Sequence, residues 1–199
     1  MSTLAVEGGR PLSGKIHVQG NKNSALPLLA ACLLTDRECV LTNMPCIRDV
    51  DVMIELLIGL GAEVSGAGTS TVRVCCSTIT TDEPDGDLVG RLRGSVLLLG
   101  PLLVRRGTAR LTTPGGDFPA RRTTTTHYKA LEALGARPLS GGQQYLQAPD
   151  GFSGTSVYLD EASVTGTETA LLAAAAADGT TRLRHAACEP HVVELCQFL

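Results

Sequence analysis

The sequence contains no tryptophan, and aromatic residues make up only 3% of its 199 residues. The core must therefore be built from Leu, Val, Ile and Ala, and a hydrophobic content of 43% supplies enough of them. Clusters of Lys and Arg are also missing, and the formal net charge is only -3, which argues against a nucleic-acid-binding surface. The length suits one domain, or one domain and part of another.

Long apolar runs are absent as well. The longest, residues 96–104, is interrupted by Gly100-Pro101 and is far shorter than the roughly 20 residues of a membrane-spanning helix. Residues 1–14 lack the charged start and apolar run of a signal peptide. We therefore expect a cytoplasmic protein that binds neither membranes nor nucleic acids.

Cysteine is present seven times, an odd number in a chain with no predicted export signal. We expect free thiols in a reducing compartment. His185, Cys188 and His191 have side chains typical of metal ligands, but their spacing matches no common zinc pattern. A strand, a turn and a helix explain this stretch without a metal, so neither a metal nor a cofactor is expected.

A pattern with a period of about seventy residues recurs along the chain. Each copy is predicted to contain a short alternating strand, an apolar helix, a second strand, a second helix closed by glycine, and a hairpin. The closures Leu60-Gly61-Ala62 and Leu134-Gly135-Ala136 mark equivalent positions, and the third copy stops at Leu199, where its own closure should come. We therefore expect three βαβαββ repeats, the third truncated, over about 15–80, 86–150 and 155–199.

Hydrophobic periodicity places the elements within these copies. Helices are predicted at 24–34, 50–60, 93–104 with a break at Pro101, 127–134, 167–177 and 192–199. Strands are predicted at 15–18, 39–42, 63–64, 71–74, 108–111, 137–139, 144–147, 156–159 and 181–184.

Specific motifs accompany this architecture. They are Gly14-Lys15-Ile16-His17-Val18-Gln19-Gly20-Asn21-Lys22-Asn23-Ser24-Ala25-Leu26-Pro27, Leu41-Thr42-Asn43-Met44-Pro45 with Arg48-Asp49-Val50, Arg93-Gly94-Ser95 with Gly100-Pro101-Leu102, Pro114-Gly115-Gly116, and Ser163-Val164 with Gly166-Thr167-Glu168. Together they resemble the enolpyruvyl transferases over essentially the whole chain. Lys22-Asn23 and Gly115-Gly116 fit the UDP-N-acetylglucosamine branch of that family better than the shikimate branch.

The resemblance implies an inside-out α/β barrel of βαβαββ repeats, one incomplete domain of the usual two. Residues 15–199 would form this domain, whereas residues 1–14 carry a short strand, Leu4-Ala5-Val6, that normally belongs to the second domain. The implied reaction transfers the enolpyruvyl group of phosphoenolpyruvate to a hydroxyl of UDP-N-acetylglucosamine, the first committed step of peptidoglycan precursor synthesis. Because the substrates close between two domains, the second domain is an expected partner and the chain alone is expected to be inactive.

The same resemblance assigns roles to residues that meet phosphoenolpyruvate. Lys22, with Asn23 beside it, binds this substrate, and Arg93 contacts phosphate from a helix start, where anions are favoured. Asp117 stands where most members have the catalytic cysteine and is the expected acid for the methylene carbon. A nearby substrate anion and loss of water raise a carboxyl pKa, which keeps part of Asp117 protonated. Arg122 aligns with a loop arginine that contacts the same substrate.

Four further residues fall where the family holds the nucleotide: Thr125, His127, Ser163 and Val164. The match weakens at Thr125, which replaces an Asp within a run of four threonines at 123–126, and Thr169 replaces the usual Asn. Simpler explanations stay open for several positions: solvated Lys22 and Arg93, a helix-capping Asn23, a turn Asp117, and Ser163 as a helix cap.

Two other functions remain open beside the cell-wall reaction. The threonine run favours a paralogue from secondary metabolism that enolpyruvylates another nucleotide. The expected lack of a second domain favours a catalytically silent remnant or binding module.

Overall fold

The computed structural model describes residues 3–115, 123–139 and 144–199. The first part of the chain forms α1 (Lys22–Ala31), a 3-10 turn (Cys32–Leu34), β1 (Glu38–Thr42), α2 (Arg48–Gly59), β2 (Glu63–Ser65) and β3 (Thr71–Cys75). The middle part forms α3 (Gly86–Val89), a 3-10 turn (Arg93–Leu98), α4 (Leu99–Arg106), β4 (Thr108–Arg110), α5 (Thr125–Leu134), β5 (Arg137–Pro138) and β6 (Tyr145–Gln147). The last part forms β7 (Ser156–Tyr158), α6 (Val164–Ala174), β8 (Arg182–Arg184) and α7 (Pro190–Phe198).

The described strands make three small sheets. The first has the order β1-β3-β2 and the second the order β4-β6-β5, and every pair in both is antiparallel. In the first sheet β1, the strand after α1, therefore pairs with β3, the second strand of the hairpin. In the second sheet β4, the strand after α4, pairs in the same way with β6. The third sheet pairs β7 and β8 in parallel, and α6 forms the crossover between these two strands.

Helices fill the interior and sheets lie outside. In α1 and α6, residues on nearly all sides are buried, which marks helices surrounded by protein. In contrast, β1 exposes Glu38, Val40 and Thr42 on one face and buries Leu41 on the other, the pattern of a sheet that faces water on one side. The layout is that of an inside-out α/β barrel, and one continuous core joins the three parts of the chain.

The two glycine closures predicted from the sequence have the same geometry. After α2, Gly61 has a φ of 107° and the Ala62 N–H donates to the Leu57 carbonyl at 2.9 Å. After α5, Gly135 has a φ of 125° and the Ala136 N–H donates to the Leu131 carbonyl at 2.9 Å. Both are Schellman motifs, in which a residue with positive φ ends the helix and the N–H of the following residue donates to a carbonyl of the last helical turn.

Most predicted helices and strands agree with the structure within a few residues. The break expected at Pro101 occurs just before it, where a 3-10 turn passes into α4 at Leu99. Pro101 thus sits in the first turn of α4, where its missing N–H removes no helical hydrogen bond.

One predicted strand is wrong. Residues 15–18 form no strand, and Ile16 and Val18 are 90% and 85% exposed. The alternation of polar and apolar residues was real, but a strand is stable only beside a hydrogen-bonding partner. No described strand lies next to this segment. Residues 4–6 likewise form no strand, and their assignment to a second domain stays a prediction.

None of the described helices is long and apolar enough to cross a membrane.

Candidate active site

A cleft of about 820 Å³ opens between α1, the 3-10 turn before α4 and the N-terminus of α6. The fold brings five of the predicted site residues to its wall although they are far apart in sequence: Lys22, Asn23, Arg93, Ser163 and Val164. Each comes from the beginning of a helix or 3-10 turn. The cleft is therefore lined by helix starts, where N–H groups without helical partners favour anions.

Lys22 and Asn23 are the first two residues of α1. The side chain of Asn21 accepts a hydrogen bond from the Asn23 N–H at 2.8 Å, so Asn21 is the N-cap and the capping role considered for Asn23 is wrong. Lys22 Nζ donates to Asp49 Oδ2 at 2.8 Å. Both side chains of this pair are partly exposed, at 48% and 39%, so the lysine stays accessible to an anion in the cleft.

Arg93 is the first residue of the 3-10 turn that precedes α4. The next residue, Gly94, lies close against α1. A Cβ atom at this position would lie only 2.9 Å from Leu26 Cδ1. This close approach brings Arg93 to the same wall as the start of α1. Arg91 also lines the cleft, so three cations of the described chain face it, two of them from one short segment.

Ser163 caps α6. Its Oγ accepts from the Gly166 N–H at 3.2 Å, and its carbonyl accepts from the Thr167 N–H at 2.9 Å. The capping explanation for Ser163 is therefore confirmed. The cap leaves the N–H groups of Val164 and Thr165 at the cleft end of an 11-residue helix, an arrangement suited to a phosphate group.

His127 and Thr125 are not among the described residues that line the cleft. His127 belongs to α5, is 1% exposed, and its ring packs against α6. Its Nδ1 is 2.8 Å from Thr169 Oγ1 and its Nε2 is 3.2 Å from Thr165 Oγ1. Burial, reinforced by the positive charge of Arg93, lowers the pKa of His127 to about 3. The ring is thus neutral at pH 7, and its hydrogen bond with Thr165, which lines the cleft, connects it to the cleft.

Four carboxyl groups share the cleft with these cations: Asp49, Glu161, Glu168 and Glu189. Glu168 is 1% exposed and its Oε1 has no hydrogen-bond partner among the described residues. Burial, together with the charge of Glu189, raises the pKa of Glu168 to about 8. This carboxyl is therefore mostly protonated at neutral pH.

Asp117 and Arg122 lie outside the described residues, so their predicted roles rest on the sequence. Described residues on either side of them form hydrogen bonds near the cleft, although they do not line it. The Gly115 N–H donates to the Val89 carbonyl at 3.0 Å, close to Arg91. Thr126 Oγ1 donates to Glu161 Oε1 at 3.4 Å.

Sequence reasoning missed several groups at the site. Asp49 and Glu168 were visible as parts of the matched motifs, yet they received no role. Arg91, Glu161 and Glu189 carried no signal, because only the packing of three separate segments shows that they face one space. Among residues 3–115, 123–139 and 144–199, no three His, Cys, Asp or Glu side chains gather as a metal site. His185 instead stacks on Tyr158 and contacts the Leu159 carbonyl at 2.9 Å.

Solved structures define the class of this fold. The enolpyruvyl transferase NikO from Streptomyces tendae superposes with a TM-score of 0.80 at 26% identity, covering 96% of this chain and 45% of that one. The EPSP synthase from Acinetobacter baumannii superposes with a TM-score of 0.70 at 17% identity, covering 90% and 42%. The fold is thus that of the enolpyruvyl transferases, as the sequence predicted.

The family follows from the sequence comparison. The model of the EPSP synthase (3-phosphoshikimate 1-carboxyvinyltransferase) family matches residues 6–199, so the chain belongs to this family. The UDP-N-acetylglucosamine 1-carboxyvinyltransferase of Bradyrhizobium diazoefficiens is 48% identical over 98% of this chain and 45% of the relative. That of Desulfosudis oleivorans is 46% identical over 100% of this chain and 48% of the relative. The chain spans about half the length of the curated relatives it matches.

Proposed function

We propose that this chain forms the first half of the active site of a UDP-N-acetylglucosamine 1-carboxyvinyltransferase. In this reaction the enolpyruvyl group of phosphoenolpyruvate moves to a sugar hydroxyl and phosphate leaves. The observation that carries the proposal is the convergence of Lys22, Arg93 and the α6 N-terminus on one cleft. The relatives at 48% and 46% identity favour UDP-N-acetylglucosamine as the acceptor.

The cleft offers separate places for the two anionic substrates. Lys22 and Asn23 at the start of α1 and Arg93 in the 3-10 turn packed against α1 suit the phosphate and carboxylate of phosphoenolpyruvate. Ser163 and Val164 lie at the start of α6, where backbone N–H groups suit a diphosphate. Phosphoenolpyruvate must compete with Asp49 for Lys22, and this exposed ion pair is weak enough to be replaced.

Asp117 and Arg122 complete the proposed chemistry. Asp117 in its protonated form donates a proton to the methylene carbon of phosphoenolpyruvate while the sugar oxygen, losing its own proton to a base, adds to the neighbouring carbon. The resulting methyl group then loses a proton as phosphate departs, which restores the double bond, and Arg122 holds the substrate during this step. A general acid of this kind contributes roughly 100- to 10,000-fold to the rate.

The proposal is tested on the complete product of the gene that carries this sequence. Phosphate release is measured with phosphoenolpyruvate and UDP-N-acetylglucosamine. Asp117→Asn should slow turnover at least about 100-fold, and Lys22→Ala or Arg93→Ala about 10-fold or more, since each removes charge-assisted hydrogen bonds. Lys129→Ala and Arg137→Ala are matched controls, because both side chains form exposed ion pairs and neither pair belongs to the lining of the cleft. Normal turnover in all three site variants would refute the proposal.

Fosfomycin gives a second, independent test. This epoxide alkylates the thiol of the family, and a carboxylate in its place is a much weaker nucleophile. The active protein should therefore stay uninhibited, whereas Asp117→Cys should be inactivated with the mass of one adduct. Rapid covalent inactivation of the Asp117 protein would contradict the assignment.

The 199-residue polypeptide by itself is expected to release no phosphate above background, because it spans about half the length of its relatives. The same assay on the purified chain checks this, and measurable turnover would overturn it.

A nucleotide-enolpyruvyl transferase of secondary metabolism is the second candidate. The hydrogen bond from Thr126 to Glu161 favours this second candidate. The bond places a carboxylate of the cleft beside the run of threonines, which is where the sequence departs from the family motif. Calorimetry on the complete protein separates the two candidates. Tighter binding of UDP-N-acetylglucosamine than of UDP supports the first, and equal or weaker binding supports the second.

A further inference from the structure

The carboxyl group of Glu168 is buried without a hydrogen-bond partner for Oε1, and the proposed function gives this group no role. Glu168 lies at the start of the second turn of α6 and is 1% exposed. Its Oε1 has no hydrogen-bond partner among the described residues. Burying a polar atom without a partner destabilises a folded protein, so such atoms are rare unless a ligand or a water molecule completes the site.

Glu168 lines the same cleft as the start of α6. It follows Val164 by four residues, so the two side chains lie on one face of the helix, one turn apart. Side chains in a helix tilt toward its N-terminus, and this tilt directs the Glu168 carboxyl toward the helix start. About 6 Å of helix axis separates Val164 from Glu168. A ligand whose anionic group binds at the start of α6 therefore has its next group beside Glu168.

The charges around Glu168 decide what kind of ligand group fits there. Glu161 and Glu189 line the cleft as well, and Glu189 is close enough to act on Glu168 electrostatically. These two carboxyl groups belong to the residues that precede α6 and α7. They repel an ionised phosphate or carboxylate, which also offers no hydrogen to Oε1. A neutral group that carries an O–H or N–H donor avoids the repulsion and supplies the missing hydrogen bond.

A sugar joined to a diphosphate meets both requirements. Its phosphates suit the backbone N–H groups at the start of α6. Its hydroxyl and amide groups are neutral donors, and they follow the diphosphate within about one helical turn, roughly 5 Å.

We propose that Glu168 is a specificity-determining residue, whose Oε1 accepts a hydrogen bond from an O–H or N–H group of the sugar attached to the diphosphate of the acceptor. The assignment rests on the proposed function and deepens it. A site that leaves a buried acceptor unpaired discriminates strongly against ligands that lack the matching donor. Glu168 thus favours a nucleotide that carries a sugar over the bare nucleotide.

The protonation of Glu168 is compatible with this role. Burial, together with the charge of Glu189, raises the pKa of Glu168 to about 8. The carboxyl is therefore mostly neutral at pH 7 and adds little repulsion toward the nearby diphosphate. Glutamine has the same shape and, like a protonated carboxyl, carries one carbonyl acceptor and a donor. Methionine has a similar length and lacks both groups.

Calorimetry at pH 7 on the complete product of the gene that carries this sequence tests the assignment. Binding of UDP-N-acetylglucosamine is compared with that of UDP, which lacks the attached sugar. Glu168→Met should weaken binding of UDP-N-acetylglucosamine roughly 10-fold and leave binding of UDP unchanged, and Glu168→Gln should restore the affinity. Glu189→Gln is a matched control, because it removes a charge from the cleft but keeps Glu168. It should change the affinity for the two ligands by the same factor.

UDP-glucose, which lacks the acetamido group, identifies the donor. A penalty from Glu168→Met that persists with UDP-glucose assigns the donor to a hydroxyl, and one that disappears assigns it to the amide N–H. Either result supports the proposal.

The stability of the free protein separates ligand recognition from a structural role. Glu168→Met removes a buried atom that has no described partner, so urea unfolding without ligand should show a variant at least as stable as the wild type. A less stable variant that binds both ligands more weakly by the same factor would reveal a structural role and overturn the proposal. Unchanged affinity for both ligands would overturn it too, since a water molecule then completes the site.

Failure of this inference is distinguishable from failure of the proposed function. If the wild type does not bind UDP-N-acetylglucosamine, the proposed function is wrong and this inference with it. If the wild type binds this ligand and Glu168→Met affects both ligands equally, only the role of Glu168 is wrong.

Discussion

The burial of His127 predicts a specific loss of stability in acid. The unfolded chain has a histidine pKa of about 6.5, and in the folded protein burial lowers it to about 3. Below pH 6.5 the unfolded state therefore binds a proton that the folded state does not. Stability from this group is intact above pH 6.5 and falls as the pH falls toward 3. Between pH 7.5 and pH 5 the linkage amounts to about 2 kcal/mol.

A substitution isolates this contribution from the other titrating groups. His127→Asn keeps a polar atom near the position of Nδ1, which faces Thr169 Oγ1 at 2.8 Å, but it does not titrate. Urea unfolding at pH 7.5 and pH 5, followed by far-UV circular dichroism because tryptophan is absent, gives the free energy of unfolding of both proteins. The wild type should lose about 2 kcal/mol more than the variant between the two pH values. An equal loss in both proteins, or a histidine NMR resonance of residue 127 that titrates near pH 6.5, would refute the reasoning.

Three further stability predictions follow from buried or strained groups. Arg105→Met should cost about 3 kcal/mol in the free energy of unfolding, since Nη1 donates to the Leu33 and Thr35 carbonyls at 2.8 and 3.1 Å. In Glu168, the raised pKa means that the folded state holds a proton between pH 4.5 and about 8. The free energy of unfolding of the wild type should therefore fall by about 3 kcal/mol from pH 5 to pH 7.5 relative to that of Glu168→Gln. The same dependence on pH in both proteins would contradict this. Gly107→Ala should cost about 1 kcal/mol, measured by thermal unfolding, because Gly107 has a φ of 72° after α4.

Local signals explain why most elements could be predicted. In the Leu-Gly-Ala closures the glycine itself indicates a positive φ. Gly61 and Gly135 both have a positive φ, and both closures occur where expected. The strand expected at 15–18 failed because its stability depends on a partner that its own residues do not encode. Alternation alone therefore indicates only that a segment can form a strand.

The candidate site was predictable only in part, for a related reason. Motifs identified Lys22 and Arg93, and the fold brings them together. The burial of His127 was not predictable, because it arises from the packing of α5 against α6 and from the hydroxyls of Thr165 and Thr169. Asp117 keeps the status of a prediction, since it lies outside the described residues.

The proposed function requires more positive charge than the described wall of the cleft supplies. In the described residues, Lys22, Arg91 and Arg93 face Asp49, Glu161 and Glu189, while burial keeps Glu168 mostly neutral. These charges cancel, so the described wall supplies positioned donors but no excess positive charge. Under the proposed function, two substrates that each carry several negative charges would need such an excess when they are brought out of water together. Arg122 can supply one charge, and the relatives, about twice as long as this chain, can supply more. Under the proposed function the protonation of Glu168 matters, because its ionisation would add a fourth negative charge to the wall of the cleft.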